Sequence, residues 1–336
     1  MKELGRTCDF FMRMKKWLVS ILLTTLTLVV FAIGSLLLLA TSCAFWSGPK
    51  PAAVAAKVQR DVVYGRAGGV KLKLDLYFPA CDTNQARPVV MYVHGGGWQM
   101  GSKAMVAVIP GASELLRHGY VVASINYRLA PTYKFPAMIE DAKCAVRFLR
   151  AHAKDFNLDP GRIGVMGDSA GGHLAALLAL TDSRAGFDGQ GGWSNESSRV
   201  QAVADLYGPN DLAVGATNLN ETAISLMKTA FGATNASDPI LARASPVTYV
   251  TSNAPPFLIL HGDHDGLVPL AQSEELYEKL NAAGASATLV VITNFSHGFT
   301  PPGLKSSPGF VELSKIIADF FDKNLRWPKP AEQPPR

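Results

Sequence analysis

Five short, almost wholly apolar runs recur along this chain: Val89–Val93, Val121–Ile125, Ile163–Met166, Phe257–Leu260 and Leu289–Ile292. Apolar runs this short, without polar alternation, bury both faces, as parallel strands covered by helices do. Segments of helical period separate them. Ala137–Ala153 places Ile139, Ala142, Val146 and Leu149 at three- and four-residue intervals, and 172–180, 270–283 and 310–325 carry similar faces. This alternation predicts an α/β domain on a mainly parallel sheet. Val70–Tyr77 differs, with Val70, Leu72, Leu74 and Leu76 opposed to Lys71, Lys73 and Asp75. It reads as a half-exposed strand near a sheet edge. Asp182–Ser198, rich in Gly and Ser, reads as a surface loop, because strand-helix alternation resumes beyond it.

The 336 residues, 48% hydrophobic, suffice for a sizeable core. Four regions are expected: 1–47 as a membrane anchor or signal/lipoprotein segment, 48–57 as a linker, 58–327 as the catalytic domain and 328–336 as a proline-rich tail. Lys2, Arg6, Arg13, Lys15 and Lys16 outnumber Glu3 and Asp9 before an uncharged stretch from Leu18 to Ala40. That stretch matches the ~20 residues of a bilayer span better than the ~7–15 of a secretory core. The cations place the N-terminus on the cytoplasmic side. Leu39-Ala40-Thr41-Ser42-Cys43 is similar to a bacterial lipobox, so anchor, acylated lipoprotein and cleaved signal all stand. Each exports the domain and the first two attach it to a membrane. The overall charge of +5 is concentrated at this end, which gives no electrostatic case for nucleic acid. Cys81 and Cys144 are read either as a disulfide or as two free thiols.

Chemistry concentrates in three places. Gly167-Asp168-Ser169-Ala170-Gly171 lies between the strand Ile163–Met166 and a helix opening at Gly172. A serine on such a strand-turn-helix is an exposed nucleophile, with small neighbours letting the turn close. His94-Gly95-Gly96-Gly97-Trp98 follows another strand. Its glycines let backbone amides approach a substrate, making Gly96, Gly97 and Ala170 the expected oxyanion donors. Trp98 is read as pocket lining or packing, and His94, Asp168 and His173 as structural. The base and its acid should follow in the order Ser, Asp, His. His297 lies beyond the last clear strand and is the expected base, while Asp263 and Asp265 compete for the acid. His261 and His264 raise zinc as an alternative, but no third ligand follows at a recognisable spacing.

Taken together, these motifs resemble the carboxylesterases related to hormone-sensitive lipase. Asn126-Tyr127-Arg128-Leu129-Ala130-Pro131, Phe135-Pro136-Ala137 and Gly167–Gly172 stand in that family's order. Tyr207-Gly208-Pro209-Asn210-Asp211-Leu212 and Ala244-Ser245-Pro246-Val247-Thr248-Tyr249-Val250 are similar to a narrower branch, the bifunctional feruloyl and acetyl-xylan esterase-like group. The resemblance spans about Val58 to Leu325. It implies an α/β-hydrolase fold with a small cap, drawn mostly from Ala213–Ala242. It also implies a Ser169-His297-Asp265 triad, with Asp265 chosen because it precedes a Val-Pro turn. No cofactor is implied, and the expected substrate is a small-molecule or polysaccharide-linked ester. The rivals are an arylformamidase-like or peptidase amide hydrolase and, from another class, a non-catalytic hydrolase-fold binding protein.

Overall fold

The alternation of apolar runs and amphipathic segments resolves into one eight-stranded sheet with helices on both faces. The computed structural model describes residues 51–80, 85–213, 221–235, 237–298 and 307–325. Its strands are β1 (Lys57–Ala67), β2 (Val70–Phe78), β3 (Arg87–Val93), β4 (Val121–Ile125), β5 (Leu158–Asp168), β6 (Ala202–Leu206), β7 (Phe257–Gly262) and β8 (Ala287–Ile292). Their order is β1-β2-β4-β3-β5-β6-β7-β8. The pairs β1–β2 and β2–β4 are antiparallel, and every later pair is parallel. The helices are α1 (Pro51–Val54), α2 (Ala112–Arg117), α3 (Ala137–Ala151), α4 (Ala170–Leu180), α5 (Glu221–Phe231), α6 (Pro239–Ala244), α7 (Ala271–Ala282) and α8 (Phe310–Leu325).

Both sheet faces are covered, which is why the central strands lack polar alternation. Val89, Met91 and Val93 pack with Ile139 and Val146 of α3 and Leu174 of α4. Val90 and Tyr92 point the other way, towards Leu115 of α2 and Ile317 and Phe321 of α8. Each such side chain contributes about 1.5–3 kcal/mol on burial. The parallel strands direct their carboxyl ends to one edge of the domain, where a sheet of this kind places its ligand site.

Several elements depart from the expectation. β1 is the true edge strand and is not legible as a strand, because register shifts between Gln59 and Val62 and between Val63 and Gly65 break its period of two. Its hairpin partner β2 therefore lies one strand inward. Asp75, assigned to the exposed face of β2, is buried and receives Lys103 Nζ at 2.7 Å and the Asp61 amide at 2.8 Å. At the other edge β8 is parallel but half-exposed, with Val291 39% accessible. β6 escapes a search for apolar runs because Asp205 interrupts it, although that carboxylate is buried on the Gly208 amide and Asn210. Within the expected linker, Pro51–Val54 form a helical turn packed near α2.

The expected N-terminal segment with Cys43, the thiol Cys81, residues 214–220 of the cap and the proline-rich tail lie outside the described residues. Among the described residues no helix is long and apolar enough to cross a membrane. Cys144 is a free, buried thiol, pushed up to about 11 by that burial.

The Asp75–Lys103 pair yields a stability test. Breaking a buried ion pair costs about 3–5 kcal/mol where the remaining charge is left unpaired, and less here because Arg60 Nη1 stays 3.5 Å from Asp75. Lys103→Met should lower the urea midpoint accordingly, and adding Asp75→Asn should recover part of the loss.

Candidate active site

Ser169 joins β5 to α4 with φ 52° and ψ −120°. A non-glycine residue held there costs on the order of 1–3 kcal/mol and persists only where its surroundings enforce it. The enforcement comes from close backbone crossings. A Cβ on Gly167 would stand 2.2 Å from the Gly171 carbonyl oxygen, and one on Gly171 would stand 2.0 Å from that of Val93. Only glycine lets the first turn of α4 lie directly on the ends of β3 and β5. The Ser169 amide donates to Leu206 O at 2.8 Å, and its carbonyl accepts from the His173 amide at 3.0 Å.

The glycine loop after β3 is tied to this turn by Asp168. Its Oδ1 accepts from Tyr92 Oη at 2.7 Å and from the Gly95 amide at 2.9 Å. Burial raises the Asp168 carboxyl, against the pull of those two donors. His94 stacks on Tyr127 with ring centres 4.3 Å apart, donates from Nδ1 to Gly95 O, and accepts at its carbonyl from Tyr127 Oη. The Asn126-Tyr127-Arg128 motif thus braces the loop from behind, with Arg128 held by Asp141. The amides of Gly96, Gly97 and Ala170 make no hydrogen bond to any described residue.

Ser169 Oγ lies 2.8 Å from His297 Nε2, and His297 Nδ1 lies 2.7 Å from Asp265 Oδ2. The other Asp265 oxygen accepts the Leu267 and Val268 amides, both at 2.9 Å. Burial alone would raise this carboxyl. Hydrogen bonds from His261 and His297, the His297 charge and the Val268 amide outweigh it and hold the group below the usual carboxylate range. Asp263, the competing acid, instead meets exposed His264 at 2.5 Å. The structure therefore brings Ser169, His297 and Asp265 together and turns Asp263 aside.

Three contributors were not singled out from the sequence for the roles they occupy. His261, considered there as a metal ligand, is fully buried behind the acid. Its Nε2 donates to Val268 O at 2.8 Å and stands 3.4 Å from Asp265 Oδ2, while Nδ1 accepts from Ser273 Oγ. No cluster of three metal-ligating side chains occurs among the described residues. Tyr207, at φ 45°, sets its ring edge-on to His297, 5.1 Å between centres. Gln99 donates to Leu226 O of α5 at 3.2 Å. The Gly-Trp-Gln register of the glycine loop was visible, but nothing local marks its reach to α5.

A cavity of about 40 Å³ opens beside Ser169, lined by Gly97, Trp98, Ala170, Leu226 and Met227 among others. Helix α5 thus lies over Ser169, within the segment expected to form the cap. Trp98 both lines and packs: its Nε1 donates to His173 Nδ1, and its ring meets Phe231. Because His173 Nε2 donates to Ala244 O, its Nδ1 is free to accept.

Sheet order, nucleophile turn, glycine loop and Ser-His-Asp array define an α/β-hydrolase fold with a serine-hydrolase constellation. The chain belongs to the BD-FAE family, whose model matches residues 74–280. Esterase LipQ of Mycobacterium tuberculosis is 35% identical over 78% of this chain and 61% of its own length. This chain thus spans about three fifths of the length of such curated relatives. A solved truncated form of a carbohydrate esterase from gut microbiota superimposes with a TM-score of 0.70, at 30% identity, over 80% of this chain and 96% of that one. The propionate-bound esterase 2 of Thermogutta terrifontis gives 0.62 at 26% identity, over 80% and 93%.

The two buried histidines generate a pH prediction. Burial pushes His94 and His173 down to about 4 each, against about 6.5 in an unfolded chain. The unfolded chain takes up these protons first. Their stabilising contribution is complete above about pH 6.5 and is lost as pH falls towards 4. Calorimetry should show the melting temperature falling over that window, less steeply in His173→Gln.

Proposed function

We propose that this chain hydrolyses carboxylic esters through an acyl-enzyme, with Ser169 as nucleophile, His297 as base and Asp265 as its orienting acid. The observation that carries this reading is the unbroken relay from Ser169 Oγ through both His297 nitrogens to Asp265. Ser169 Oγ attacks the ester carbonyl carbon while its proton passes to His297 Nε2. The amides of Gly96, Gly97 and Ala170 receive the oxyanion. His297 then protonates the departing alkoxide, which leaves as the alcohol. Water attacks the acyl-enzyme next, its proton going to His297, and the acid departs as Ser169 regains a proton. Asp265 stays ionised throughout and stabilises the imidazolium. These steps call on no group beyond the protein and water.

Similarity to LipQ and to the gut carbohydrate esterase supports an ester rather than an amide substrate. Retention of nucleophile, base and acid within hydrogen-bond distance speaks against a non-catalytic binding protein, since function resides in the site. The decisive comparison is p-nitrophenyl acetate and butyrate turnover by wild type and Ser169→Ala. The variant should lose about 10⁴–10⁶ in kcat. Equal inactivity of both on every ester, with an aryl formamide cleaved by wild type alone, would favour the amide reading.

We also propose export to the outer side of the cytoplasmic membrane. What supports it is the cationic start followed by the uncharged stretch from Leu18 to Ala40. Full-length protein should fractionate with membranes or outside the cell. In the lipoprotein case, Cys43→Ser should change the mass of the mature chain. Recovery solely from the cytosol would overturn the export proposal.

A further inference from the structure

We infer that the ester substrates carry short acyl groups, and that Leu226 on the cap helix α5 sets their length limit. The inference rests on the ester-hydrolase reading above and concerns what that site admits. Its first support is chemical. The cavity beside Ser169 is walled by Trp98, Pro209, Leu226, Met227, Leu267 and Val268, so hydrocarbon enters it and a charged group does not.

The second support decides which half of the ester the cavity receives. The departing alcohol takes its proton from His297 Nε2, so it must leave on the side of Ser169 that faces that imidazole. The cavity is lined instead by Gly97 and Ala170, and His297 is not part of its wall. Those two residues carry the amides assigned to the carbonyl oxygen. The group lying beside them is the acyl chain.

Size supplies the limit. The cavity holds about 40 Å³, and about 10–15 Å³ admits one water-sized group. A space this small is bounded by only a few side chains, so a short chain such as acetyl, propionyl or butyryl is seated without moving Leu226. An octanoyl chain or a feruloyl ring meets Leu226 before it is seated.

The wall is also held in place. A Cβ on Gly97 would stand 3.0 Å from both terminal carbons of Leu226, so this side chain presses against the oxyanion glycine itself. Gln99 follows that glycine by two residues. Its Nε2 donates to Leu226 O at 3.2 Å and to Gly97 O at 3.4 Å, clamping α5 to the loop. At the helix end, Phe231 meets Trp98 edge-on at 4.9 Å, and Ala230 O accepts the Phe135 amide at 2.9 Å. Moving Leu226 away from Ser169 breaks these contacts together. Gln99 is thus a positioning residue, and Leu226 the residue that sets specificity.

The test is kcat/KM of the full-length protein on p-nitrophenyl acetate, butyrate and octanoate and on methyl ferulate. Wild type should prefer butyrate to octanoate by about 100-fold or more, and methyl ferulate should not turn over. Leu226→Ala should raise the octanoate-to-acetate ratio about tenfold, within the range one pocket methylene commands. Leu226→Phe should act in the opposite sense and lower the butyrate-to-acetate ratio. Gln99→Leu, which cuts the clamp and leaves the wall chemistry intact, should raise the octanoate-to-acetate ratio less than Leu226→Ala does. Ratios within one variant cancel losses from partial misfolding. Wild-type turnover of octanoate equal to acetate, or ratios unmoved in both Leu226 variants, would overturn the inference while leaving the esterase reading standing. Folded wild type inactive on all four esters would remove both.

Discussion

The first turn of α4 lies directly on the carbonyl ends of β3 and β5, and the rest of the site depends on that contact. Gly167 and Gly171 make it sterically allowed, since any Cβ at either position would stand 2.2 Å or less from a carbonyl oxygen. The crossing leaves Ser169 no relaxed conformation and holds it at positive φ. That geometry exposes the hydroxyl at the sheet edge and aims the free amide at the start of α4 beside it. The strain is local, on the order of 1–3 kcal/mol, and the sheet core of apolar strands supplies the stability to hold it.

Buried polar groups then carry the loops to the nucleophile. Asp168 ties the glycine loop to the turn, and the His94–Tyr127 stack supports that loop from below. Behind Asp265, His261 lies between Val268 O and that carboxylate; Val268 O sets its tautomer by accepting from Nε2, which leaves Nδ1 to accept from Ser273 Oγ. Each of these groups is buried and has its partner, the condition under which a polar interior favours one arrangement. The cap joins the same framework through Gln99 and Trp98. Glycine loop, Ser169 and the cap wall of the cavity therefore form one connected unit.

Much of this was legible in the chain because it depends on short-range pattern. Continuous apolar runs marked five of the six strands in parallel pairing, and in β3, β4 and β7 burial on both faces removes alternation. A serine between a strand and a helix, ringed by small residues, marked Ser169 as the expected nucleophile. β1 was hidden because its bulges destroy the period that would have revealed it. β6 was hidden because a buried aspartate interrupts its apolar run. The placement of Asp75 on an exposed face failed because Lys103, 28 residues away, neutralises it inside the protein.

By itself the sequence determined the class of fold and pointed to Ser169, the glycine loop and His297, because each is written in neighbouring residues. From the residues alone Asp263 and Asp265 stood level, and family resemblance favoured the second. Tertiary structure decided how they lie, setting Asp265 against His297 across 32 residues and leaving Asp263 with exposed His264. It also decided that Ser169 and His297, 128 residues apart, meet at 2.8 Å. Only there do Tyr207, His261 and Gln99 acquire their places, and only there does Leu226 close a cavity. The physical reason is that these relations are distances between chain-remote groups. Packing sets such distances, and no local pattern encodes them.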